Sequence, residues 1–328
     1  MYYNAHRRYK DFSKSFSHNM NLTLAHWLRP WEFSPTLIVC FLLSAYLFFM
    51  GCRKKQINGS RQLLFWSGWV LLYLSMHSHV DYYAERVFFI HRAQHLVLHH
   101  LAPLLIMLSY PGQVMRAGMT RGMRQRLEQF NQTAFGQALI YWLTHKLFIP
   151  FLFVFLVIVW LFPTVQFYSM LNVNIYRFMN WSVVVSGLLY WNLILDRRPY
   201  HPPVLTAKSS LGRWWQRRTL SGSPAVMSPL ERVLSPVFTM APQIVAGAMI
   251  AFSSTDLYPL FEICGRALRI IAAQDQGWGG LIMWVPAGAV ETFGILVAAM
   301  TWWRLHAQGR IYHTKYSPSY VRTQVKLA

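Results

Sequence analysis

Apolar residues are concentrated in seven runs that are separated by polar connections. The runs cover residues 35–50, 63–76, 88–110, 147–162, 179–195, 233–252 and 279–303. Several are shorter than the roughly 20 residues that cross a bilayer as a helix, so their ends are expected to extend into flanking aromatic and polar residues. Because the backbone inside a bilayer must satisfy its own hydrogen bonds, the pattern predicts an all-α integral membrane protein, a bundle of about seven transmembrane helices.

Composition supports a membrane protein and excludes other classes. The chain is 54% hydrophobic and only 13% charged, with a mean hydropathy of +0.25, which is too apolar for a typical soluble domain. Its net charge of +20 does not indicate a nucleic-acid partner, because the basic residues cluster between apolar runs, as topology determinants do. Cys40, Cys52 and Cys264 are too far apart in sequence to predict a thiol relay or a disulfide framework.

The distribution of lysine and arginine predicts the orientation. Connections 53–61, 111–146 and 196–232 and the tail from 304 hold 21 of these residues, whereas the alternate connections hold four. Basic residues favour the cytoplasm, so we expect a cytoplasmic C-terminus and an extracytoplasmic N-terminus. The five basic residues of the N-terminal tail are the exception. The predicted organisation is a polar tail at 1–34, a membrane domain at 35–303 with a cytoplasmic loop at 196–232, and a basic cytoplasmic tail at 304–328.

The third run carries the candidate chemistry. His91, His95 and His99 are four residues apart, which places them along one face of a regular helix, with His100 off that face. Imidazoles and Arg92 are unfavourable inside a bilayer unless they are paired, metallated or hydrated. Further polar residues precede the run: Met76, His77, His79, Asp81 and Glu85. The orientation places this cluster at the extracytoplasmic end.

The spacing of the histidines favours a metal site without proving one. Two imidazoles at i and i+4 of a helix can bind one metal ion, and His91 and His95 have this spacing. Further candidate ligands are His99, His77 and His79. Copper and zinc both suit imidazole, while a thioether such as that of Met76 favours Cu(I). The alternative is that the imidazoles hydrogen-bond between helices and stabilise the bundle. Spacing alone leaves both open.

A second distinctive stretch, residues 275–286, begins the seventh run. Gly279 and Gly280 permit close helix contact. Asp275 is expected either to cap a helix or to orient a histidine of a neighbouring helix. Pro103 is expected to kink the third helix and to free a carbonyl near residue 99.

At these two stretches the chain resembles the CtaG family of cytochrome c oxidase assembly factors, bacterial membrane proteins with about seven helices. The resemblance rests on two motifs within a matching hydropathy pattern over roughly residues 31–305. The first motif is His91, Gln94, His95, Ala102, Pro103, Leu104, Leu105 and Pro111, and the second is Asp275, Gln276, Gly279, Gly280, Leu281, Ile282, Met283 and Trp284.

The resemblance implies a multi-pass protein of the bacterial cytoplasmic membrane that serves in oxidase maturation by delivering copper, with oxidase subunits and the lipid bilayer as its partners. Gln94 and Asp275 are then expected to support the metal ligands. The chain departs from the family in one place. Where family members often carry histidines entering the fifth run, it has Asn174, Tyr176 and Asn180.

On this interpretation the protein binds and transfers copper without being an enzyme. One rival is a di-iron membrane oxygenase or desaturase, since the histidine run resembles a histidine box, but such enzymes need about eight histidines in several boxes. Here His145, His201, His306 and His313 are solitary. A second rival is bis-histidine haem, which requires an apposed histidine on another helix.

Overall fold

The computed structural model describes residues 27–30, 34–200, 209, 226–263 and 265–311. Most of the predicted N-terminal tail, much of the loop at 196–232 and most of the C-terminal tail lie outside these ranges. The described part is helical, and no β-strand occurs in it beyond isolated bridges. The prediction of an all-α protein is confirmed.

The helices follow in close succession along the chain. They are α1 (Pro35–Lys54), α2 (Gly59–His77), α3 (His79–Ala84), α4 (Phe88–His95), a π-helical segment (Leu96–Leu101), α5 (Ala102–Leu108), α6 (Pro111–Gly118), α7 (Arg121–Gln132), α8 (Ala134–Leu143), α9 (Phe148–Val159), α10 (Pro163–Leu171), α11 (Val173–Ile194), α12 (Pro229–Ala251), α13 (Leu260–Ile263) and α14 (Ala272–Ala307).

Helix starts follow local sequence signals. α12 begins with a capping box, in which Ser228 and Glu231 satisfy each other's backbone N–H groups. The Asn172 side chain accepts hydrogen bonds from the first turn of α11, and Asn58 does the same for α2. α1 begins with Pro35, whose missing N–H needs no partner at a first helical position.

Every predicted apolar run overlaps a helix or, for the third run, the succession α4, π segment and α5. Three helices, α1, α12 and α14, are long and apolar enough to cross a membrane by length and composition. α8 and α9 pass the same test together but meet at a bend of 66°. The structure therefore supports a membrane protein with three or four such spans among the described residues, and the count of seven crossings and the orientation stay predictions.

The histidine-bearing succession of α4, π segment and α5 is surrounded by α2, α11 and α14. α12 packs along α14, α14 contacts α4, and α5 packs between α2 and α11. On one side Leu98, Ala102 and Ile106 join a buried cluster with residues of α2 and α11. On another, Leu104 packs with Phe153 and Tyr190. Outward-facing positions are apolar, as lipid contact requires, and include Leu42, Phe49, Phe238, Met249 and Trp303.

Candidate functional site

The helix that carries the histidines changes its hydrogen-bonding pattern halfway. α4 ends at His95, the next six residues are π-helical, and α5 continues from Ala102. The N–H of Ala102 donates to the carbonyl of Val97, five residues earlier. The expectation of one regular helix through this stretch is therefore wrong for its middle. π turns inside α-helices frequently mark functional sites.

Pro103 explains where the break falls. A proline ring inside a helix clashes with the carbonyl four residues earlier, which here belongs to His99. That carbonyl faces Gly187 of α11, at which a Cβ atom would overlap it. Glycine at this position lets α11 approach the broken turn. The predicted kink is thus present as a π turn that is packed against a neighbouring helix.

His91 and His95 form a close pair of buried rings. Their centroids are 4.5 Å apart, and His91 is fully buried. Both ring nitrogens of His91 and Nε2 of His95 have no hydrogen-bond partner among the described residues. The backbone of Ala84 lies within hydrogen-bonding reach of the His91 ring. Buried polar atoms are normally hydrogen-bonded, and each neutral imidazole has one lone pair, so each of the two rings can offer one nitrogen to a ligand.

His99 makes a different set of contacts. Its Nε2 lies 3.0 Å from Oγ of Ser186 on α11, and its ring stacks on Phe153 with centroids 4.0 Å apart. Only its Nδ1 lacks a partner within the described residues. His99 therefore makes an interhelical contact of the kind expected if imidazoles stabilise the bundle.

One cavity gathers the second half of the histidine run. His95, His99, His100, Arg92 and Met283 line it. Its volume is about 30 Å³, which is room for one or two water molecules or a single ion. The π turn brings His100 to the same cavity as His95, because residues five apart share a side in π geometry. Met283, which was not among the predicted ligands, adds a soft thioether.

Arg92 is a buried cation beside these imidazoles. Arg92 is only 3% exposed. Its Nε and Nη2 atoms have no hydrogen-bond partner in the described part of the chain. The guanidinium lies 5.1 Å from the centroid of the Phe88 ring, a cation–π contact that offsets part of its lost hydration. The cavity therefore carries a fixed positive charge.

Glu291 is a buried carboxylate that sequence reasoning missed. It lies in the middle of α14 with 1% exposure. Its oxygens accept hydrogen bonds from Gln243 at 2.8 Å and Thr239 at 3.2 Å, both on α12, and Nδ1 of His100 lies 3.3 Å away at an ion-pair distance. The available signal was a single carboxylate within the apolar run 279–303, since intramembrane acids are rare and functional.

Gln94 belongs to a separate buried network. Its amide nitrogen donates to the carbonyl of Ser75 at 2.7 Å and to Oδ1 of Asp81 at 2.6 Å. The hydroxyl of Tyr176 donates to the same Asp81 oxygen at 2.8 Å and lies 3.4 Å from Oε1 of Gln94. Gln94 thus ties α4 to α2, α3 and α11. These contacts fix the rotation of the helix between His91 and His95, and the support of metal ligands by Gln94 stays a prediction.

Asp275 lies at the N-terminus of α4, close to the helix that carries the histidines. The fully buried carboxylate accepts hydrogen bonds from the N–H groups of Phe88 and Phe89 at 3.1 and 2.8 Å. Arg266 Nε donates to it at 3.2 Å. Asp275 therefore caps α4 from a neighbouring helix, through contacts to the backbone of α4 and to Arg266.

The remaining predicted ligands lie around the junction of α2 and α3. Met76 packs in the apolar cluster that includes Leu98. His77 is buried against the ring of Tyr73 at 5.2 Å, and its Nδ1 has no partner among the described residues. His79 Nδ1 lies 2.9 Å from the carbonyl of Arg29.

No three histidine, cysteine, aspartate or glutamate side chains form a group able to hold a metal in the ranges that the structure describes. The metal interpretation consequently rests on the His91–His95 pair and the adjoining cavity.

Comparison with known proteins gives a family. A family model described as cytochrome c oxidase caa3 assembly factor (Caa3_CtaG) matches residues 44–212 and 203–305. The chain belongs to this family. Neither the curated proteins nor the solved structures contain a significant match. The resemblance to the CtaG family is confirmed, and with it the connection to oxidase assembly.

The two CtaG motifs lie against each other in space. Asp275 caps the first turn of the histidine-bearing helix. Gly279 leaves room for the ring of Phe88, which a Cβ there would overlap. The ring of Trp278 meets that of Phe89 edge-on at 5.4 Å. The start of α14 therefore positions the start of α4, three residues before His91.

The three residues of α11 at which the resemblance led us to expect histidines make different contacts. Asn174 is exposed. Tyr176 is buried with its hydroxyl bonded to Asp81, and Asn180 is buried with Oδ1 lacking a partner among the described residues. α11 thus supplies a hydroxyl and an amide to this region.

Proposed function

We propose that this protein assists cytochrome c oxidase assembly by binding copper at His91 and His95 and transferring it to oxidase subunits. The site lies, in the predicted orientation, at the extracytoplasmic side of the bacterial cytoplasmic membrane. The proposal combines the family, which concerns oxidase assembly, with the chemistry of the site.

One observation carries the copper assignment: two buried imidazoles lie side by side with three ring nitrogens that no described group satisfies. Leaving a buried polar atom unpaired costs about 1–3 kcal/mol. Each neutral imidazole has one lone pair, so a metal ion bound by both rings would remove that penalty at two of the three nitrogens. His95 also borders the cavity that holds Met283, so imidazole and thioether ligands are available together, a set that favours Cu(I).

The same arrangement suits transfer better than turnover. Within the described ranges, no three histidine, cysteine or acidic side chains form a group able to hold a metal, so the proposed site rests on the close pair of His91 and His95. An ion held by few soft ligands can exchange them one at a time with an acceptor protein. The protein is therefore proposed to act without chemical turnover.

The rival functions have less support. A di-iron enzyme needs several carboxylates or histidines around two ions, and no such group occurs in the described ranges. The cavity beside His95 holds about 30 Å³, whereas pockets for large organic ligands span about 300–1,000 Å³. Haem does not fit that space.

The test replaces both histidines. His91→Ala/His95→Ala is expected to lose bound copper, measured by metal analysis of protein purified without chelators, while its level in the membrane stays normal. His306→Ala is the matched control because His306 is exposed in the last turn of α14. Unchanged copper content in the double variant contradicts the assignment and restores the interhelical role for these imidazoles.

A second measurement tests the cellular role. Oxidase activity in membranes of a strain that lacks the protein is expected to fall under copper limitation. Normal activity there would remove the assembly role for this chain, whatever its metal content.

A further inference from the structure

α7 is a helix with no buried residue, and yet it has an apolar face. Met123, Leu127 and Phe130 are spaced four and three residues apart, which places them on one side of the helix. Their exposed fractions are 36%, 40% and 41%. A helix of 12 residues is marginal in water without tertiary contacts. This apolar face therefore needs a cover.

The rest of α7 is basic. Arg121, Arg124 and Arg126 are exposed on the same helix. Its one acid, Glu128, is already paired with Arg116 at 2.5 Å. A helix with an apolar stripe, an arginine-rich polar face and a low overall hydrophobicity is typical of helices that lie in a membrane interface.

Packing of the preceding helix places α7 at the depth of that interface. α6 packs on the end of α1, and Gly118 lies against the carbonyl of Leu47, where a Cβ would overlap it. Lys54 is the last residue of α1. At a rise of 1.5 Å per residue, Leu47 lies about 10 Å from it along the helix axis. Basic residues at the end of a span, here Arg53 and Lys54, mark the headgroup level. α7 then begins three residues after Gly118.

The next helix continues the apolar surface. α8 exposes Phe135, Ile140 and Trp142, and the Phe130 and Phe135 rings meet edge-on at 6.1 Å. α8 joins α9 at the 66° bend, in a pair that is apolar enough to enter a membrane. The apolar face of α7 is therefore continuous with the exposed apolar surface of α8.

We propose that α7 is an interfacial helix that binds anionic phospholipid headgroups through Arg121, Arg124 and Arg126 while Met123, Leu127 and Phe130 lie among the acyl chains. Charge complementarity selects the occupant: long arginine side chains extend from an apolar bed to the headgroups, and anionic lipid attracts each of them. The inference goes beyond copper binding and does not depend on it.

The experiment follows amide hydrogen exchange in the full chain after reconstitution in lipid nanodiscs. One sample contains phosphatidylcholine alone, and the other contains equal parts of phosphatidylcholine and phosphatidylglycerol. Exchange in residues 121–132 is expected to be slower in the anionic discs, by about fivefold for each arginine engaged. Exchange in α12, which lacks such a face, serves as the internal reference.

Variants separate the two parts of the proposal. Arg121→Gln/Arg126→Gln, which keeps Arg124, is expected to reduce the difference between the two lipids to about fivefold. Leu127→Gln is expected to accelerate exchange in both, whereas Gln125→Ala, on the opposite side of α7, is expected to leave it unchanged. Equal exchange of the wild-type chain in the two lipids overturns the proposal. Slow exchange that is insensitive to lipid and to Leu127→Gln would show that protein contacts cover the face.

Discussion

Replacing Asp275 by asparagine tests whether this carboxylate holds the start of the histidine-bearing helix. The carboxylate is fully buried and accepts hydrogen bonds from Phe88, Phe89 and Arg266. Asparagine keeps one acceptor oxygen, which can still serve Phe89. Its amide nitrogen then faces the N–H of Phe88 and the guanidinium of Arg266, so donors meet donors.

The expected loss follows from those contacts. A hydrogen bond to a charged group contributes about 1.5–3 kcal/mol, and two are lost. Arg266 keeps its pairing with Glu262 at 2.5 Å, which limits the penalty, so we expect a loss of about 3 kcal/mol in the local stability of the first turn. Since about 1.4 kcal/mol corresponds to a factor of ten, that loss is about a hundredfold in an opening equilibrium.

Hydrogen exchange of the amides at residues 88–89 measures this opening directly. Asp275→Asn is expected to accelerate it by about a hundredfold. Asp256→Asn is the matched control, because Asp256 is exposed and accepts only a local bond from the N–H of Tyr258, which asparagine can replace. An acceleration below about threefold in Asp275→Asn would refute the reasoning.

Three further outcomes are expected. Gly187→Ala should lower the unfolding temperature because its Cβ overlaps the carbonyl of His99, whereas Gly112→Ala, which has open space, should not; equal unfolding temperatures would contradict the close approach. Glu291→Ala should destabilise the protein more than Glu291→Gln, by about 1–3 kcal/mol in denaturant unfolding, since it leaves the buried amide of Gln243 without its acceptor; equal effects would mean that water replaces the carboxylate. Reporter fusions should place Tyr82 outside and the chain after residue 304 in the cytoplasm, and a cytoplasmic Tyr82 would reverse the orientation.

The sequence predicted the features that depend on continuous apolar runs and on regular helical spacing. Each apolar run became helix because no irregular backbone is stable in lipid, and the i, i+4 spacing brought His91 and His95 together because both lie in regular α-helix. The sequence predicted the Asp275 and histidine stretches on the same side of the membrane, and the two helix starts meet in the structure. These features depend on local composition.

Features that depend on distant partners were not predictable in the same way. Pro103 predicts an interruption of the helix. The π turn that forms there also requires a neighbouring helix to approach it closely, which Gly187 of α11 permits, and Gly187 is remote from Pro103 in sequence. The position of His100 changes with that turn, so its place beside the cavity was missed. Asp275 lies beside the histidine-bearing helix, as expected. Whether its carboxylate binds an imidazole ring or the helix backbone depends on side-chain packing between the helices, which the sequence does not specify.

The π turn has a consequence for how the histidine-bearing helix can vary. A π turn holds one residue more than the α-helix it interrupts, so the two halves are out of phase by about 100°. The half after Ala102 fits α2 and α11 through apolar contacts, and the half before His95 meets α14 through polar ones. Because the extra residue uncouples their rotational settings, each half can satisfy its own neighbours, and the imidazoles need not be placed by the same surface that anchors the helix in the bundle.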